Sequence, residues 1–301
     1  MDLLERMNRA IDYIEAHLTE KMDYEQAARA ACCSVYQFQR MFSFITDIPL
    51  SEYIRRRRMT LAAFELQNKE CKVIDLALKY GYESPEAFTR AFQAVHDITP
   101  TQARNSGSDL KAYPRIAFQI TIKGVATMNY RIEKKEASTV YGIERIFDTK
   151  DGQNYRDIPE FWCEAMKDGS IDKLILSAGV DPKSQTPGSF QGKCMVNSLC
   201  GYRETGGTTF PYMLFTEKTP FCNIEGYTTA KIPAATWAVF QSEEYDDENV
   251  KEVCQSLYRR IYSEWLPTSN YKEISGFDQE IYFAAESKKS YLEIWIRVEA
   301  K

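Results

Sequence analysis

A short pattern occurs twice in the first hundred residues, fifty positions apart. The residues that recur are Ser34, Phe38, Arg40, Phe42, Asp47 and Ile48, which return as Ser84, Phe88, Arg90, Phe92, Asp97 and Ile98. In both copies the aromatic residues are four positions apart, a spacing that places side chains on one face of a helix. Each copy is therefore predicted to be an amphipathic helix with one buried stripe.

A shorter helical pattern precedes each copy of the repeat. One covers residues 23–31 and the other 73–80, and only a few residues separate each from its repeat helix. Two helices joined so tightly are typical of a helix-turn-helix. A longer helical pattern at 50–66 connects the two units, and its length of about 25 Å approaches the roughly 34 Å between successive major-groove turns of DNA. One chain could therefore present two recognition helices to DNA.

Four consecutive arginines at 55–58 leave two interpretations open. A run of four residues winds around a whole helix turn, so at most two of its side chains face one side. Contacts to DNA phosphates are one interpretation. Intramolecular ion pairs are the other, and the sequence does not decide between them.

Counts of residue types exclude several classes of site. The net charge of −5 argues against a protein that coats nucleic acid or anionic membranes non-specifically. Histidine occurs only at His17 and His96, which argues against a histidine triad or a multi-histidine metal site. The eight cysteines include no CxxC pair, and no GxGxxG, GxxxxGK[ST] or GxSxG motif is present. We therefore expect no metal, no cofactor and no catalytic residues.

The start of the chain indicates the cellular compartment of the protein. It carries acidic side chains where a signal peptide needs basic ones, and no apolar run approaches the roughly 20 residues of a membrane span. We expect a cytoplasmic protein with no membrane partner. In that reducing compartment the cysteines are expected to be small buried side chains or incidental thiols.

The residue pattern changes after the polar segment 105–109, whose composition is typical of loops and linkers. Beyond it, runs rich in β-branched and aromatic residues predict strands at 127–132, 138–146, 194–201, 208–216, 230–241, 280–284 and 291–298. Helical patterns at 158–168 and 249–264 interrupt them, which gives the order strand, helix, two strands, twice over.

The predicted fold class is α + (α+β). An all-helical double helix-turn-helix domain covers residues 1–105, and a linker covers 106–126. A duplicated strand-helix-strand-strand antiparallel-sheet domain covers 127–301.

The last predicted strand contains an acid between aromatic residues. Alternation places Tyr291, Glu293 and Trp295 on one face of this strand and aliphatic residues on the other. A carboxylate in so apolar a strand is either an exposed solubilising charge or a buried acid that awaits a partner. Because burying an unpaired carboxylate costs several kcal/mol, a bound cation could stabilise it, and the neighbouring rings would add cation–π attraction.

Several segments of the first hundred residues carry a family resemblance. GYESPEAFTRAF at 81–92 is followed by DITP at 97–100 and preceded by FQRMF at 38–42 and YIRRRR at 53–58. Residues 5–105 thereby resemble the DNA-binding domain of AraC-type transcription regulators. The resemblance implies that exposed side chains of the two repeat helices contact bases and phosphates. These side chains are Val35, Tyr36, Gln37, Gln39 and Arg40 in the first helix and Pro85, Glu86, Thr89 and Arg90 in the second.

Some residues depart from the pattern of this family. Cys32, Asp47 and Asp97 stand where glycine is common. If the backbone at Cys32 is left-handed, a residue with a Cβ atom costs about 1 kcal/mol there; otherwise the turn is reshaped. Glu86 would repel phosphate unless it accepts a hydrogen bond from a cytosine amino group.

Residues 127–300 resemble a GyrI-like (gyrase-inhibitor-like) effector-binding domain, above all in IYSEWLP at 261–267 and YLEIWI at 291–296. An AraC-type domain followed by such a domain is the architecture of Rob-type regulators. The resemblance implies an amphipathic, often cationic effector, held by aromatic side chains and a buried acid on the last strand. Glu293 has that place, and the other expected pocket residues are Phe161, Trp162, Tyr282, Tyr291 and Trp295.

Two functions are consistent with these patterns. The first is a sequence-specific transcription regulator, an activator by resemblance, with double-stranded DNA, a small-molecule effector and RNA polymerase as partners. The alternative is that the C-terminal domain hydrolyses or sequesters a small molecule, with an acid such as Glu293 as general base. DNA binding distinguishes the first function, and product formation the second.

Overall fold

The computed structural model describes residues 3–68, 71–105, 107–119, 127–179, 189–190, 193–284 and 289–301. They form two compact units, of which the first ends at Gln119 and the second reaches Lys301. We call them the helical unit and the sheet unit. Residues 106 and 120–126 of the predicted linker lie outside the described residues.

The helical unit contains the two predicted helix-turn-helix pairs. Its helices are α1 (Leu3–Ala16), α2 (Tyr24–Ala30), α3 (Val35–Thr46), α4 (Leu50–Asn68), α5 (Val73–Lys79), α6 (Pro85–His96) and α7 (Pro100–Ala103). The pairs are α2 with α3 and α5 with α6, and α4 connects them. This part of the fold prediction is confirmed.

Each recognition helix begins at a serine cap. Ser34 and Gln37 form the predicted reciprocal capping box at the start of α3. At the start of α6 the Ser84 hydroxyl accepts a hydrogen bond from the Ala87 amide at 3.1 Å, and Pro85 occupies the first turn. Because the first amides of a helix have no partner inside it, these caps stabilise both helix starts.

The repeated phenylalanines are core residues. Phe38, Phe42, Phe88 and Phe92 are fully buried. In the second pair, Phe88 and Phe92 pack in one cluster with residues of α4 and α5, among them Met59. Burial of one such side chain contributes roughly 2 to 3 kcal/mol. These residues hold the recognition helices in place but read no base.

Left-handed backbone ends the first helix of each pair and both recognition helices. The φ angle is +56° at Cys32, +61° at Asp47 and +62° at Asp97, and Gly81 at the end of α5 has +76°. Of the two alternatives for Cys32, the left-handed backbone is the one observed. Aspartate tolerates this region better than most residues, so Cys32 is the more strained position.

Three of the four arginines at 55–58 form ion pairs inside the helical unit. Arg55 and Arg56 share the Glu52 carboxylate, and Arg57 pairs with Glu15 of α1 at 2.8 Å. The fourth guanidinium donates to two backbone carbonyls just after α1. Intramolecular ion pairing is therefore confirmed for this run.

Residues 107–119 pack against the helical unit. Arg57 donates to the Tyr113 carbonyl at 2.7 Å. The Asn8 side chain makes hydrogen bonds of 2.9 and 2.8 Å to the carbonyl and amide of Phe118, whose ring meets Phe42 edge-on. These contacts group 107–119, which the sequence suggested as linker, with the helical unit.

The sheet unit is built on one antiparallel sheet. Its strands are β1 (Tyr130–Lys135), β2 (Ser138–Asp148), β3 (Ser189–Phe190), β4 (Lys193–Cys194), β5 (Asn197–Cys200), β6 (Thr209–Glu217), β7 (Thr228–Ile232), β8 (Ala235–Gln241), β9 (Tyr271–Ala284) and β10 (Ser290–Ala300). Its helices are α8 (Asn154–Lys167), α9 (Ser170–Ser177), α10 (Val250–Arg260) and the short α11 (Leu266–Thr268). Along the sheet the order is β1-β8-β10-β9-β5-β6-β2-β7, with β4 paired to β9 and β3 paired to β4.

The strand order confirms the predicted duplication. Strands β2, β5 and β6 form one half with α8, and β8, β9 and β10 form the other with α10. Strands β5 and β9 meet at the centre, and the halves continue outward in mirrored order. The outer strands are exchanged: β1, which precedes the first half, pairs with β8, and β7, which precedes the second, pairs with β2. The strand that precedes each half therefore forms the edge of the other half.

Several elements differ from the sequence prediction. The strand predicted at 280–284 begins at Tyr271, and the run 194–201 falls on the two strands β4 and β5. The run 230–241 is two strands because Pro233 lies between β7 and β8 and proline cannot donate a backbone hydrogen bond to a neighbouring strand. The predicted helix 249–264 is α-helical to Arg260 and then π-helical over Ile261–Trp265. Helix α9, of 8 residues, was not predicted.

The sheet has two different faces. Tyr212, Glu280 and Tyr282 lie on the face that α8 and α10 cover, as contacts of Trp162 and Tyr258 show. We call it the helix face. Strand alternation sends the intervening residues to the opposite side, which we call the groove face.

Candidate functional site

Three side chains that were predicted to read DNA are buried on α3. Val35, Tyr36 and Gln39 are 7, 7 and 6% exposed, so the expectation that they are exposed is wrong. Val35 precedes Phe38 by three residues, and Gln39 precedes the next core phenylalanine by three. Helical spacing therefore turns both toward the buried stripe.

Gln37 and Arg40 of α3 are partly exposed. The Oε1 atom of Gln37 accepts hydrogen bonds from the Ser34 amide at 3.3 Å and hydroxyl at 3.1 Å. The guanidinium of Arg40 lies over the Phe44 ring, 5.3 Å from its centroid. Gln37 thus holds the helix start, and a role of either side chain in DNA binding stays a prediction.

The predicted residues of α6 are more accessible. Glu86 and Arg90 are exposed, and Pro85 and Thr89 are half-buried. Hydrogen bonds from its own backbone amide and from Ser84 lower the pKa of Glu86. Its carboxylate therefore stays ionised at the helix start, where it would oppose a nearby DNA phosphate.

A buried carboxylate lies at the centre of the helix face. Glu280 is 8% exposed. Its carboxylate accepts hydrogen bonds from the hydroxyls of Ser198 at 2.7 Å, Tyr282 at 2.8 Å, Tyr258 at 3.3 Å and Tyr212 at 3.4 Å. No lysine or arginine of the described residues pairs with Glu280. We call these five residues the helix-face carboxylate site.

The duplicated fold brings these side chains together. Ser198 of β5 and Glu280 of β9 are register partners where the two halves meet. Helix α10 of the second half supplies Tyr258, which also donates to the buried Asp278. The site therefore belongs to both halves.

Three predicted pocket residues lie around this site. The indole N–H of Trp162 on α8 donates to the Tyr212 hydroxyl at 2.9 Å, and its ring meets Tyr282 edge-on at 5.4 Å. Phe161 is 3% exposed and packs against Tyr212, with ring centroids 6.5 Å apart. Aromatic walls thus surround the carboxylate.

Tyr212 and Tyr282 remain protonated. Burial raises the pKa of Tyr212 and Tyr282 well above the ordinary value, and the negative charge of Glu280 raises it further. Both phenols therefore act as neutral hydrogen-bond donors at physiological pH.

The other predicted pocket residues lie on the groove face. In the strand register Glu293 is opposite Ile281 and not Tyr282, so its side chain leaves the sheet on the other side. Its carboxylate accepts hydrogen bonds from Arg131 at 2.6 and 2.9 Å and from the Trp295 indole at 3.0 Å. The six predicted residues therefore do not line one pocket, and Glu293 already has a cationic partner.

Sequence reasoning missed Glu280. The strand reads FDQEIYF at 277–283, and alternation puts Asp278, Glu280 and Tyr282 on one face. Three polar residues on one face of a strand whose other face is mainly apolar were an available signal. The predicted strand began only at residue 280, which hid the pattern.

Other chemistry is limited in the part of the chain that the structure describes. No group of three or more His, Cys, Asp or Glu there could hold a metal ion. No helix there is long and apolar enough to cross a membrane. The eight cysteines are free thiols.

The fold and the site together define a class of protein. A double helix-turn-helix unit followed by a duplicated sheet unit with a buried anionic, aromatic site is a DNA-binding regulator with an effector-binding domain. The chain belongs to the family described as integron-associated effector binding protein, whose model matches residues 131–298. A model of a helix-turn-helix domain matches residues 27–106. The resemblances to AraC-type regulators and to GyrI-like domains are confirmed.

Curated relatives match the helical unit. The HTH-type transcriptional activator AarP of Providencia stuartii is 40% identical over 94 residues, which cover 31% of this chain and 70% of that protein. The regulatory protein SoxS of Salmonella typhimurium is 37% identical over 95 residues, which cover 32% of this chain and 89% of that protein. The helical unit belongs to their family of helix-turn-helix regulators.

A solved structure is similar to part of this chain. A bacterial transcription regulation protein from Staphylococcus aureus MU50 aligns with a TM-score of 0.43 and 19% identity, over 58% of this chain and 100% of that chain.

Proposed function

We propose that this chain is a cytoplasmic transcription activator without a catalytic step, which recognises an amphipathic organic cation at the helix-face carboxylate site. It binds double-stranded DNA through α3 and α6 and contacts RNA polymerase. The observation that carries the effector assignment is Glu280, a buried carboxylate with hydroxyl partners and no cationic partner among the described residues. Hydroxyl donors compensate only part of the loss of solvation, so a bound cation would stabilise this group.

The surroundings of Glu280 favour a lipophilic cation. The faces of Trp162, Tyr212 and Tyr282 offer cation–π attraction and apolar contact, while the carboxylate supplies Coulomb attraction in a site shielded from water. A neutral molecule of the same shape would gain only the apolar contact. An anion would be repelled.

Titration calorimetry with tetraphenylphosphonium and the neutral triphenylphosphine oxide tests this assignment. We expect the wild type to bind the cation at least tenfold more tightly than the neutral compound. Glu280→Gln keeps the size and an acceptor of the side chain but removes its charge, so this preference should disappear.

Glu293→Gln is the matched control, because Arg131 already neutralises that carboxylate. It should keep the preference for the cation. A wild type without such a preference, or an equal loss in both variants, would refute the effector assignment.

The positions of α3 and α6 in the helix-turn-helix pairs support the proposal that these helices bind DNA. Helices α3 and α6 are the second helices of their pairs, which is the helix that enters the major groove in this motif. Helix α4 has 19 residues and a length of about 28 Å, which suits one protein that contacts two turns of DNA. We propose Arg40 and Arg90, which share a position in the repeat, as the principal contacts.

Hydrolysis by the sheet unit gains no support from Glu293. Its carboxylate accepts hydrogen bonds from Arg131 and Trp295. A general base must be free to take a proton from its substrate, and this carboxylate is held by strong donors.

A further inference from the structure

Residues 107–119, which we call the strap, run along the connecting helix α4 in the opposite direction. The Tyr113 amide donates to the Thr60 hydroxyl of α4 at 3.1 Å. The Ile116 amide donates at 3.3 Å to the hydroxyl of Tyr53, nearer the start of that helix. Three residues of the strap therefore pass seven residues of the helix, a length of about 10 Å, which requires extended chain. The strap lies beyond residue 106, where the match to the helix-turn-helix model ends.

The first end of the strap contacts the second recognition helix. His96 is the last residue of α6 and is 2% exposed. Its Nδ1 accepts a hydrogen bond from the Lys111 amide at 3.2 Å, and its Nε2 lies 3.1 Å from the Met59 carbonyl of α4. Since Nδ1 is the acceptor, the neutral ring carries its proton on Nε2 and donates it to that carbonyl. One imidazole therefore links the strap, α6 and α4.

The other end of the strap contacts the first recognition helix. Phe118 is 6% exposed, and its ring meets Phe42 of α3 edge-on with centroids 6.2 Å apart. The carboxamide of Asn8 on α1 accepts from the Phe118 amide at 2.8 Å and donates to the Phe118 carbonyl at 2.9 Å. The strap thus contacts a core residue of α3 at one end and the last residue of α6 at the other.

Buried contacts hold the strap more firmly than its ion pairs do. Lys111 pairs with Asp97 and Arg115 pairs with Asp12, but all four side chains are about half exposed or more. Ion pairs so exposed are screened by water and salt and contribute little. The buried ring of Phe118 and the hydrogen bonds of the strap backbone therefore fix it in place.

Two recognition helices in one chain have to match the geometry of DNA. Half-sites that face the same side of the duplex are about 34 to 36 Å apart, or about 10 to 10.5 base pairs. One additional base pair moves the second half-site by about 3.4 Å and turns it by about 35° around the DNA axis. Helices that are held rigidly reject such a shift, whereas helices on a loose connection follow it. Helix α4 connects the two pairs along the chain, and the strap joins α3 to α6 a second time.

We propose that the strap is a positioning element for DNA recognition. It fixes α3 relative to α6 and thereby sets how many base pairs the chain accepts between its two half-sites. The strap acts through the Phe42 ring and through His96, and contact of the strap with a base is not required. This role rests on the DNA binding by α3 and α6 proposed above.

Duplexes with different spacings test this role in the full chain. A binding sequence selected in vitro from random DNA supplies the two half-sites, and one base pair is then added or removed between them. Fluorescence anisotropy of labelled duplexes at fixed salt measures the dissociation constants. We expect the wild type to bind the selected spacing about tenfold or more tightly than either altered spacing.

Two substitutions loosen the strap at different points. Asn8→Ala removes both hydrogen bonds to the Phe118 backbone. Thr60→Val removes the acceptor of the Tyr113 amide and keeps the shape of the side chain. Each should reduce the preference for the selected spacing about threefold or more. A substitution that only destabilised the helical unit would weaken all duplexes equally and leave this preference unchanged.

Thr101→Val is the matched control, because it makes the same chemical change at an exposed threonine of α7. It should keep the spacing preference of the wild type. Circular dichroism at 222 nm of each variant checks that the helices are formed.

Three results would overturn the proposal for the strap alone. They are a wild type that binds all spacings equally, a wild-type preference in both Asn8→Ala and Thr60→Val, and an equal loss of preference in Thr101→Val. Selection of no sequence, or of a sequence with one half-site, would instead refute DNA binding by both recognition helices, and the role of the strap with it.

Discussion

Arg131 and Glu293 form a two-fold hydrogen-bonded ion pair across an intervening strand. Their strands, β1 and β10, both pair with β8 and not with each other, yet the guanidinium reaches the carboxylate at 2.6 and 2.9 Å. The Glu293 side chain is 6% exposed and that of Arg131 is 43% exposed. The hydrogen bond to Glu293 is the main cause that raises the pKa of Arg131. The pair fastens the exchanged strand β1 to the last strand of the chain.

Arg131→Met should lower the free energy of unfolding of the sheet unit by about 3 kcal/mol, because it leaves a buried carboxylate without its cation. The double variant Arg131→Met/Glu293→Gln should recover at least half of that loss. The four tryptophans all lie in the sheet unit, so urea unfolding followed by tryptophan fluorescence measures the effect.

Arg145 offers a control for this prediction. Its ion pair with Glu164 is exposed on both sides, so Arg145→Met should change the free energy by less than about 1 kcal/mol. A double variant as unstable as Arg131→Met would show that the two charges are not coupled.

Cys32→Gly should stabilise the helical unit by about 1 kcal/mol, because glycine adopts the observed φ of +56° without the steric cost of a Cβ atom. Cys163→Gly is the matched control. That cysteine is also exposed but lies inside α8, where glycine should destabilise by about 1 kcal/mol. Urea unfolding at 222 nm measures the first variant and tryptophan fluorescence the second, and destabilisation by Cys32→Gly would contradict the argument.

The helical unit should lose stability in mild acid through His96. Burial is the main cause that lowers the pKa of His96, although a hydrogen bond to the Met59 carbonyl opposes it. Its Nδ1 accepts from the Lys111 amide at 3.2 Å, which requires the neutral ring. Because the unfolded chain binds the proton more tightly, stability is full above the ordinary pKa of about 6.5 and falls as the pH decreases below it.

Urea unfolding at pH 7.5 and 5.5, followed at 222 nm, measures this effect. His96→Gln removes the titrating group and should reduce the difference between the two pH values. Tryptophan fluorescence reports the sheet unit and should not distinguish the variant from the wild type. An undiminished pH dependence in His96→Gln would assign it to other groups.

Arg40→Ala and Arg90→Ala should each weaken specific DNA binding by about 1 to 3 kcal/mol if they contact base edges. A binding sequence selected in vitro and a titration at fixed salt measure this. If the arginine contacts a phosphate instead, its loss should reduce the slope of the logarithm of the binding constant against the logarithm of the salt concentration by about one. Arg203→Ala, which removes an ion pair with Glu144 in the sheet unit, is the control, and equal loss in all three variants would refute the assignment.

The helical unit was largely predictable because its determinants are local. The period of the phenylalanines, the cap at Ser34 and the proline at Pro85 are all read within a few residues. The same spacing would have placed Val35 and Gln39 beside the buried stripe, and they were nevertheless expected to be exposed. Local patterns therefore predicted where the helices begin and end better than which of their side chains are exposed.

The candidate site was less predictable because it depends on register between distant strands. The order of elements in the sheet unit followed from the sequence, but the pairing of Glu293 with Ile281 decides which residues share a face. A bulge between Ile296 and Val298 shifts that register. The partner of Glu293 is 162 residues away in the sequence, and no local pattern indicates it.

The exchange of edge strands affects how the sheet unit folds during its biosynthesis. Tyr130 of β1 pairs with Phe240 of β8, so β1 leaves the ribosome before the first half and stays unpaired until β8, the first strand of the second half, has been synthesised. A cut in the segment 218–227, between β6 and β7, would leave two fragments that each hold an edge strand belonging to the other. Two such fragments, expressed separately, should reassemble into one sheet, whereas neither should be stable alone.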